Sequence, residues 1–339
     1  MSAVITLSKI VIKLVLALFV VGGLGYLLLL ALNWQDEAPS VPALALQQQL
    51  LSEPVAGNGY QRYQAQQAAL KTQDNTTLQQ LFAGCNQAGC PALAAADTTQ
   101  LEQLLLENTT LLAFYQQLLS SNHWQEPVLA SADELPAFQP LLNGQRLHLL
   151  QIYLLAQQGH WLQVEKLLAA DLKFWRNLLT ENRYLLTKMI SSAAIERHFN
   201  LALQLTNLPK PAETPFNITP WQQPFTESEL SLSKALAGEW QLTEQGITAA
   251  LHDTSDLNFL EKLGLTLVRP LYQPQASSNE LALLLSCPQT EAVAELSWYQ
   301  WFYNPLGKMI NRVSMPPCDD YLHRLAQLEQ QRQQLQARL

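Results

Sequence analysis

The chain has 339 residues, and 20 Lys and Arg against 28 Asp and Glu give it a formal net charge of -8. Setting Lys9 and Lys13 aside leaves 18 basic against 28 acidic side chains, or -10, the wrong sign for a protein that neutralises nucleic-acid phosphates. Charged residues make up only 14%, below the ~25% usual in soluble domains, and Gln, Asn, Ser and Thr fill the deficit with a polar, weakly charged surface.

The first element is apolar. From Leu14 to Leu32 no residue carries a charge or a side-chain amide, and at ~1.5 Å per residue such a helix crosses a ~30 Å hydrocarbon core. Trp34 follows at interfacial depth. A cleaved signal would have an apolar region of only ~7–15 residues and an Ala-x-Ala-like site, and no good site closes this one. The expectation is therefore a cytoplasmic tail over 1–13 and a transmembrane helix over 14–32. Lys9 and Lys13 hold the first side in the cytoplasm, and the body is exported. Gly22, Gly23 and Gly25 lack the G-x-x-x-G spacing of a helix-pairing face and read as ordinary tolerance of Gly in a membrane helix.

Residues 33–58 carry Pro39, Pro42, Pro54, Gly57 and a Gln run and read as a partly helical stalk. Four cysteines suit an oxidising compartment and allow three pairings; the simplest joins Cys85 to Cys90 across "CNQAGC" and Cys287 to Cys318. Zinc would need a second short knuckle, and only "CNQAGC" has that look, so no metal and no cofactor is expected.

Helical periodicity dominates from there. "TQLEQLLLENTTLLAFYQQLLSS" carries a broad apolar stripe through Leu101, Leu104, Leu105, Leu111, Leu112, Tyr115, Leu118 and Leu119. "YLLAQQGHWLQVEKLLAADL" reads as two antiparallel helices with Gly159 closing the first and Trp161 opening the second, a tetratricopeptide-like hairpin. One copy cannot build a solenoid, so 59–208 is expected to be an irregular helical subdomain ending in a helix over Ala193–Leu208. The proline-rich stretch 209–224 is the best boundary, with a C-terminal helical subdomain at 225–339. Thr226 with Glu229 forms a capping-box signature for a helix running to Glu239. Shorter helices are expected over Asp256–Leu263, Ser278–Leu285 and Thr290–Tyr303. Tyr321–Leu339 forms a last amphipathic helix with Leu322, Leu325, Leu328, Leu335 and Leu339 on one side. No alternating run suits a central strand, so the fold class is mainly α.

Catalytic spacing is missing. The histidines at 123, 148, 160, 198, 252 and 323 are scattered, and His148 and His160 flanking the hairpin read as core-edge or solvent residues. Neither G-x-S-x-G nor H-E-x-x-H occurs, and Ser191-Ser192 and Ser277-Ser278 have no evident base. Asp253 with Asp256 and Asp319 with Asp320 suit caps and turns better than acid–base work.

The remaining motif is "WYQWFYNPLGKMI". A phosphate-binding loop would need a second glycine where Phe302 sits and a hydroxyl where Met309 sits, so the Gly-Lys pair holds no nucleotide. Trp298, Trp301, Phe302 and Tyr303 cluster at a helix end that Asn304 and Pro305 stop, and core packing of this cluster is the first expectation. Gly307 lets the next turn lie against those rings, and Lys308 is solvated or ion-paired. "LVRPLYQPQASSNELA", "YNPLGKMI" and "CDDYLHRLAQLEQ", with Tyr321 and Arg324, together resemble a family of single-pass Gram-negative inner-membrane proteins in which an Asn-Pro-x-Gly-basic element precedes a Tyr-x-x-Arg helix. That resemblance implies an inner-membrane location facing the periplasm and no particular chemistry.

The expected function is that of a membrane-anchored periplasmic structural or assembly factor that binds an envelope protein partner. The alternatives are an envelope enzyme acting on peptidoglycan or peptide, and a periplasmic ligand-sensing domain.

Overall fold

A computed structural model of the chain describes all residues except 1, 52–54, 56–57, 71–74, 87–88, 210–215, 288–295 and 314–317. In chain order the α-helices are α1 (Ser2–Leu32), α2 (Val41–Gln49), α3 (Gly59–Gln66), α4 (Asn75–Phe82), α5 (Pro91–Ala95), α6 (Thr98–Glu107), α7 (Thr109–Leu118), α8 (Gln139–Gln157), α9 (Trp161–Glu181), α10 (Leu185–Thr206), α11 (Thr219–Gln222), α12 (Glu227–Leu230), α13 (Ser233–His252), α14 (Phe259–Val268), α15 (Pro274–Leu284), α16 (Pro305–Val313) and α17 (Cys318–Gln336). A 3₁₀ turn covers Trp298–Phe302. Among the described residues no β-strand forms, so the fold is mainly α as expected.

The chain divides into two compact units. The first comprises Met1–Gln47 with Thr243–Pro316, and the second Gln48–Leu242 with Pro317–Leu339. This division falls elsewhere than at the proline-rich stretch, for two physical reasons. Residues 33–47 do not stand off as a stalk: Asn33 and Ala43 are buried, and both Asp36 carboxylate oxygens accept backbone N–H groups from the start of α15, Gln275 at 2.7 Å and Ala276 at 2.9 Å. The described part of 209–224 is packed into the second unit, where Phe216, Ile218 and Trp221 are all buried. Arg176 of α9 donates to the carbonyls of Pro220, Gln223 and Pro224 as well as to both Glu229 oxygens, so one guanidinium gathers five acceptors, three of them from that segment.

The hairpin forms as read. Gly159 sits at φ +81°, and His160 N–H reaches back to the Leu155 carbonyl at 2.9 Å, closing α8 with a left-handed cap before Trp161 opens α9. Helices α8, α9 and α10 pack with α7 around Trp124, Trp175, Phe174 and Tyr115, and α17 packs on α10 through Leu325, Leu328 and Leu335. Several helix readings shift. The long apolar stripe is two helices, because Asn108 turns its amide back onto the Leu104 carbonyl. The Thr226 capping box is present, but its helix ends at Leu230 and restarts at Ser233 after the Ser231 hydroxyl accepts the Ser233 N–H. The helix expected from Asp256 begins at Phe259, because Asn258 and Glu261 form the capping box. Of the helix expected over Thr290–Tyr303, residues 290–295 lie outside the described part and the rest is the 3₁₀ turn.

Cys85 is bonded to Cys90, and Cys287 and Cys318 are disulfide-bonded as well. The small loop is closed by Gly89 at φ +114°, a position where a Cβ would strike the Gln204 side chain of α10.

Candidate functional site

The residues singled out in "WYQWFYNPLGKMI" come together in the first unit around the end of α1. That helix is the one segment among the described residues long and apolar enough to cross a membrane, over Ile12–Leu32, and its window has no buried residue. Gly22, Gly23 and Gly25 have open space where a Cβ would sit.

Asn33, at the last turn of α1, is only 4% exposed. Its amide donates to the Leu29 carbonyl of its own helix and to the Phe302 carbonyl, both at 2.8 Å, and its oxygen accepts the Asn304 N–H at 2.6 Å. Its backbone carbonyl accepts the Gln273 side-chain amide. Asn304 in turn accepts the Gln273 N–H at 3.0 Å and exchanges hydrogen bonds with the Ser277 hydroxyl. Asn304 is the one described non-glycine residue at positive φ, +47°, a conformation that asparagine tolerates better than most side chains. Pro305 then occupies the first position of α16, where a missing N–H costs nothing, and the Asn304 carbonyl accepts the Lys308 N–H. Asn33, Gln273, Ser277 and Asn304 are all buried, and their bonds to one another offset the cost of leaving water.

Two expectations about the motif are corrected. Gly307 does not make room for aromatic rings: a Cβ there would collide with the Ser277 hydroxyl and the Asn304 amide. Lys308 is half-buried rather than fully solvated, and in place of a carboxylate its ammonium finds the carbonyls of Gln300 at 2.6 Å and Tyr303 at 2.7 Å, finishing the 3₁₀ turn, 5.6 Å over the Tyr303 ring. Burial draws its pKa below the usual lysine value.

The aromatic cluster itself is corrected too. Trp298 is 75% exposed, and Tyr299, Trp301 and Phe302 are also exposed, because the short 3₁₀ turn points its rings away from the unit that holds its backbone. Trp301 keeps one partner, the Arg312 guanidinium 5.8 Å from its ring centre. Tyr321 and Arg324 belong to the second unit, on α17. Asn33, Asp36 and Gln273 were missed from sequence, as was Asn311, whose amide donates to the Ser277 carbonyl at 2.9 Å, and Ser277 was named only as a serine without a base. The available signal was an amide placed directly after the apolar run, in "ALNWQDE".

The second unit holds the group that looks most like catalytic machinery. His198 Nδ1 lies 2.9 Å from Asp171, whose other oxygen accepts the Tyr115 hydroxyl at 2.6 Å, and the Trp175 indole donates to that hydroxyl. The Trp221 indole N–H donates to His198 Nε2 at 2.9 Å, which makes Nε2 the acceptor and Nδ1 the proton carrier. Both nitrogens are thus occupied and neither side chain is exposed, so no substrate can reach the imidazole. Burial pushes the Asp171 carboxyl up, but the bonds from His198 and Tyr115 outweigh it and hold it below the usual range. Burial lowers His148 nearby, while His160 is exposed at the hairpin turn, so the two do not act together. Among the described residues no three His, Cys, Asp or Glu side chains could hold a metal ion.

No family model, curated protein or solved structure matches the chain. Geometry therefore defines the class: a mainly helical protein with one candidate membrane span, whose end is hydrogen-bonded into the folded unit that contains it. The site is a joint made of amides and hydroxyls, without a nucleophile and base in contact.

Proposed function

We propose that this is a single-span inner-membrane protein of a Gram-negative cell, with Lys9 and Lys13 on the cytoplasmic side, whose helical body faces the periplasm as a structural or assembly factor binding another envelope protein. The observation that carries the reading is the Asn33 joint. A tethered enzyme or receptor needs only a flexible connection to its anchor, whereas here the Asn33 side chain makes two hydrogen bonds to the body of its unit, at Phe302 and Asn304, and its carbonyl accepts a third from Gln273. Such a connection fixes the height and orientation of what it carries, the property that an assembly factor uses. The disulfide-bonded cysteines support an oxidising compartment, and the likeness of the 267–282 and 303–310 segments to single-pass envelope proteins supports the same location. The sealed His198–Asp171 pair favours binding over catalysis.

The test is chemical crosslinking of the full-length protein in intact cells, with a reporter fused after Leu339. The expected result is export-dependent reporter activity and one recurrent crosslinked envelope protein. A cytoplasmic reporter, or crosslinks to nothing beyond abundant bystanders, contradicts the proposal.

A further inference from the structure

Helix α14 is built inside out. At ~100° per residue, Phe259, Leu260, Leu263 and Leu267 fall on one face, and Leu265 falls on the opposite one. Leu265 packs against the small core of Ile247, Leu251 and Tyr272. The richer apolar face is the outer one: Phe259 is 78% exposed and Leu260 74%, with Leu263 and Leu267 about half exposed. Glu261 and Lys262 lie off that face, and the Glu261 carboxylate is occupied in capping the Asn258 N–H.

The depth of this face is set by one hydrogen bond. The Tyr26 hydroxyl of α1 donates to the Leu267 carbonyl at 2.8 Å. Tyr26 lies seven residues before Asn33, so it sits about 10 Å below the end of the apolar run along the helix axis. Leu267 is in the last turn of α14, where helix carbonyls run short of partners, and an unpaired carbonyl in hydrocarbon is costly. A tyrosine inside an apolar span supplies the missing donor at that position. At the level of Asn33 the Phe302 carbonyl fixes the aromatic turn that carries exposed Trp298 and Tyr299, and exposed Trp34 follows Asn33 directly; rings of this kind collect at a bilayer surface.

We propose that α14 and the 298–302 turn form a second membrane contact, with the outer face of α14 buried in the acyl–headgroup boundary of the leaflet that α1 exits and the aromatic turn lying at its surface. The occupant of this face is phospholipid. The lipid-facing surface of α1 continues into it through the Tyr26–Leu267 bond, and ~10 Å is the depth at which interfacial amphipathic helices lie. The inference rests on α1 spanning the membrane.

It is tested with the full-length protein reconstituted in phosphatidylethanolamine–phosphatidylglycerol vesicles and carrying a photoreactive phenylalanine analogue at Phe259, Leu263, Phe19 or Leu162, one site at a time. Phe19 reports on the span, and Leu162, an exposed leucine of the second unit, serves as the water-facing control. The expected result is a lipid adduct at Phe259 and Leu263 comparable with that at Phe19 and at least about tenfold above that at Leu162. Lipid adducts at Phe19 with none at Phe259 and Leu263 overturn this inference alone, as do protein adducts at those two positions. Absence of lipid adducts at Phe19, Phe259 and Leu263 together overturns the membrane reading with it.

Discussion

Asn304 combines a backbone role with a side-chain role, and the two separate by substitution. Glycine keeps the φ of +47° without strain but removes the amide, whereas alanine loses the amide and is strained as well. Asn304→Gly is expected to cost about 1–3 kcal/mol through unpaired partners at Gln273 and Ser277, and Asn304→Ala about 1 kcal/mol more. Denaturant unfolding of the detergent-solubilised protein measures both, and equal losses would remove the backbone from the explanation. Lys188 provides a pH-dependent case. It is buried, donates to the Leu179 and Glu229 carbonyls, and burial lowers its pKa from 10.5 to about 7 against the opposing pull of Glu229. Between those two values the unfolded chain holds a proton that the folded chain has released. Stability therefore rises with pH through that window, and the penalty of burying the charge is fully felt below it. From pH 7 to pH 9 the gain is expected to be about 2 kcal/mol in the wild type and absent in Lys188→Met. Parallel urea titrations at the two pH values decide the matter, and an identical slope in the variant would show that Lys188 is not the source.

At the scale of elements, helix existence was legible where periodicity and caps agreed. Gly159 ended α8, and Thr226 with Glu229 formed its box, because each signal is local and acts on adjacent backbone. The failures came from partners distant in sequence. Prolines made 209–224 look like a linker, yet Arg176, a lone arginine on α9, binds its carbonyls and its ring neighbour Phe225, and Arg332 of α17 donates to the Trp221 carbonyl. No sequence pattern announces such a residue. Arg176→Ala leaves Glu229 buried without its cation and is expected to destabilise the second unit by about 3–5 kcal/mol, with faster amide exchange over 216–225. A change below about 1 kcal/mol would mean that the ion pair is solvated in solution. The aromatic turn runs the other way. Residue type suggested a core, but a 3₁₀ turn exposes consecutive rings, so Trp298→Ala is expected to change stability by no more than about 0.5 kcal/mol. Trp221→Ala, in a fully buried site, should cost about 3–5 kcal/mol. Thermal unfolding of the pair gives the comparison, and a large loss for Trp298 would restore the core reading.

For the whole molecule, composition and the apolar run were enough to read a mainly helical protein with an N-terminal apolar helix. The division into units was not, because both are discontinuous in sequence: the first joins Met1–Gln47 to Thr243–Pro316. The contacts that make it so are hydrogen bonds between amides more than 230 residues apart, such as Gln273 with Asn33, and amides carry no periodic signal. The candidate site was half legible for the same reason. The 304–308 motif stood out by its turn chemistry, while Asn33 was hidden at the edge of the apolar run. The central claim is that the span is locked into the fold at Asn33, and amide hydrogen exchange of the full-length protein in lipid discs tests it most directly. The account predicts slow exchange at the Gln273 and Asn304 amides in the wild type, lost at Asn304 in Asn33→Ala while α8 and α9 stay protected. Fast exchange at Asn304 in the wild type, or undiminished protection in the variant, would contradict it.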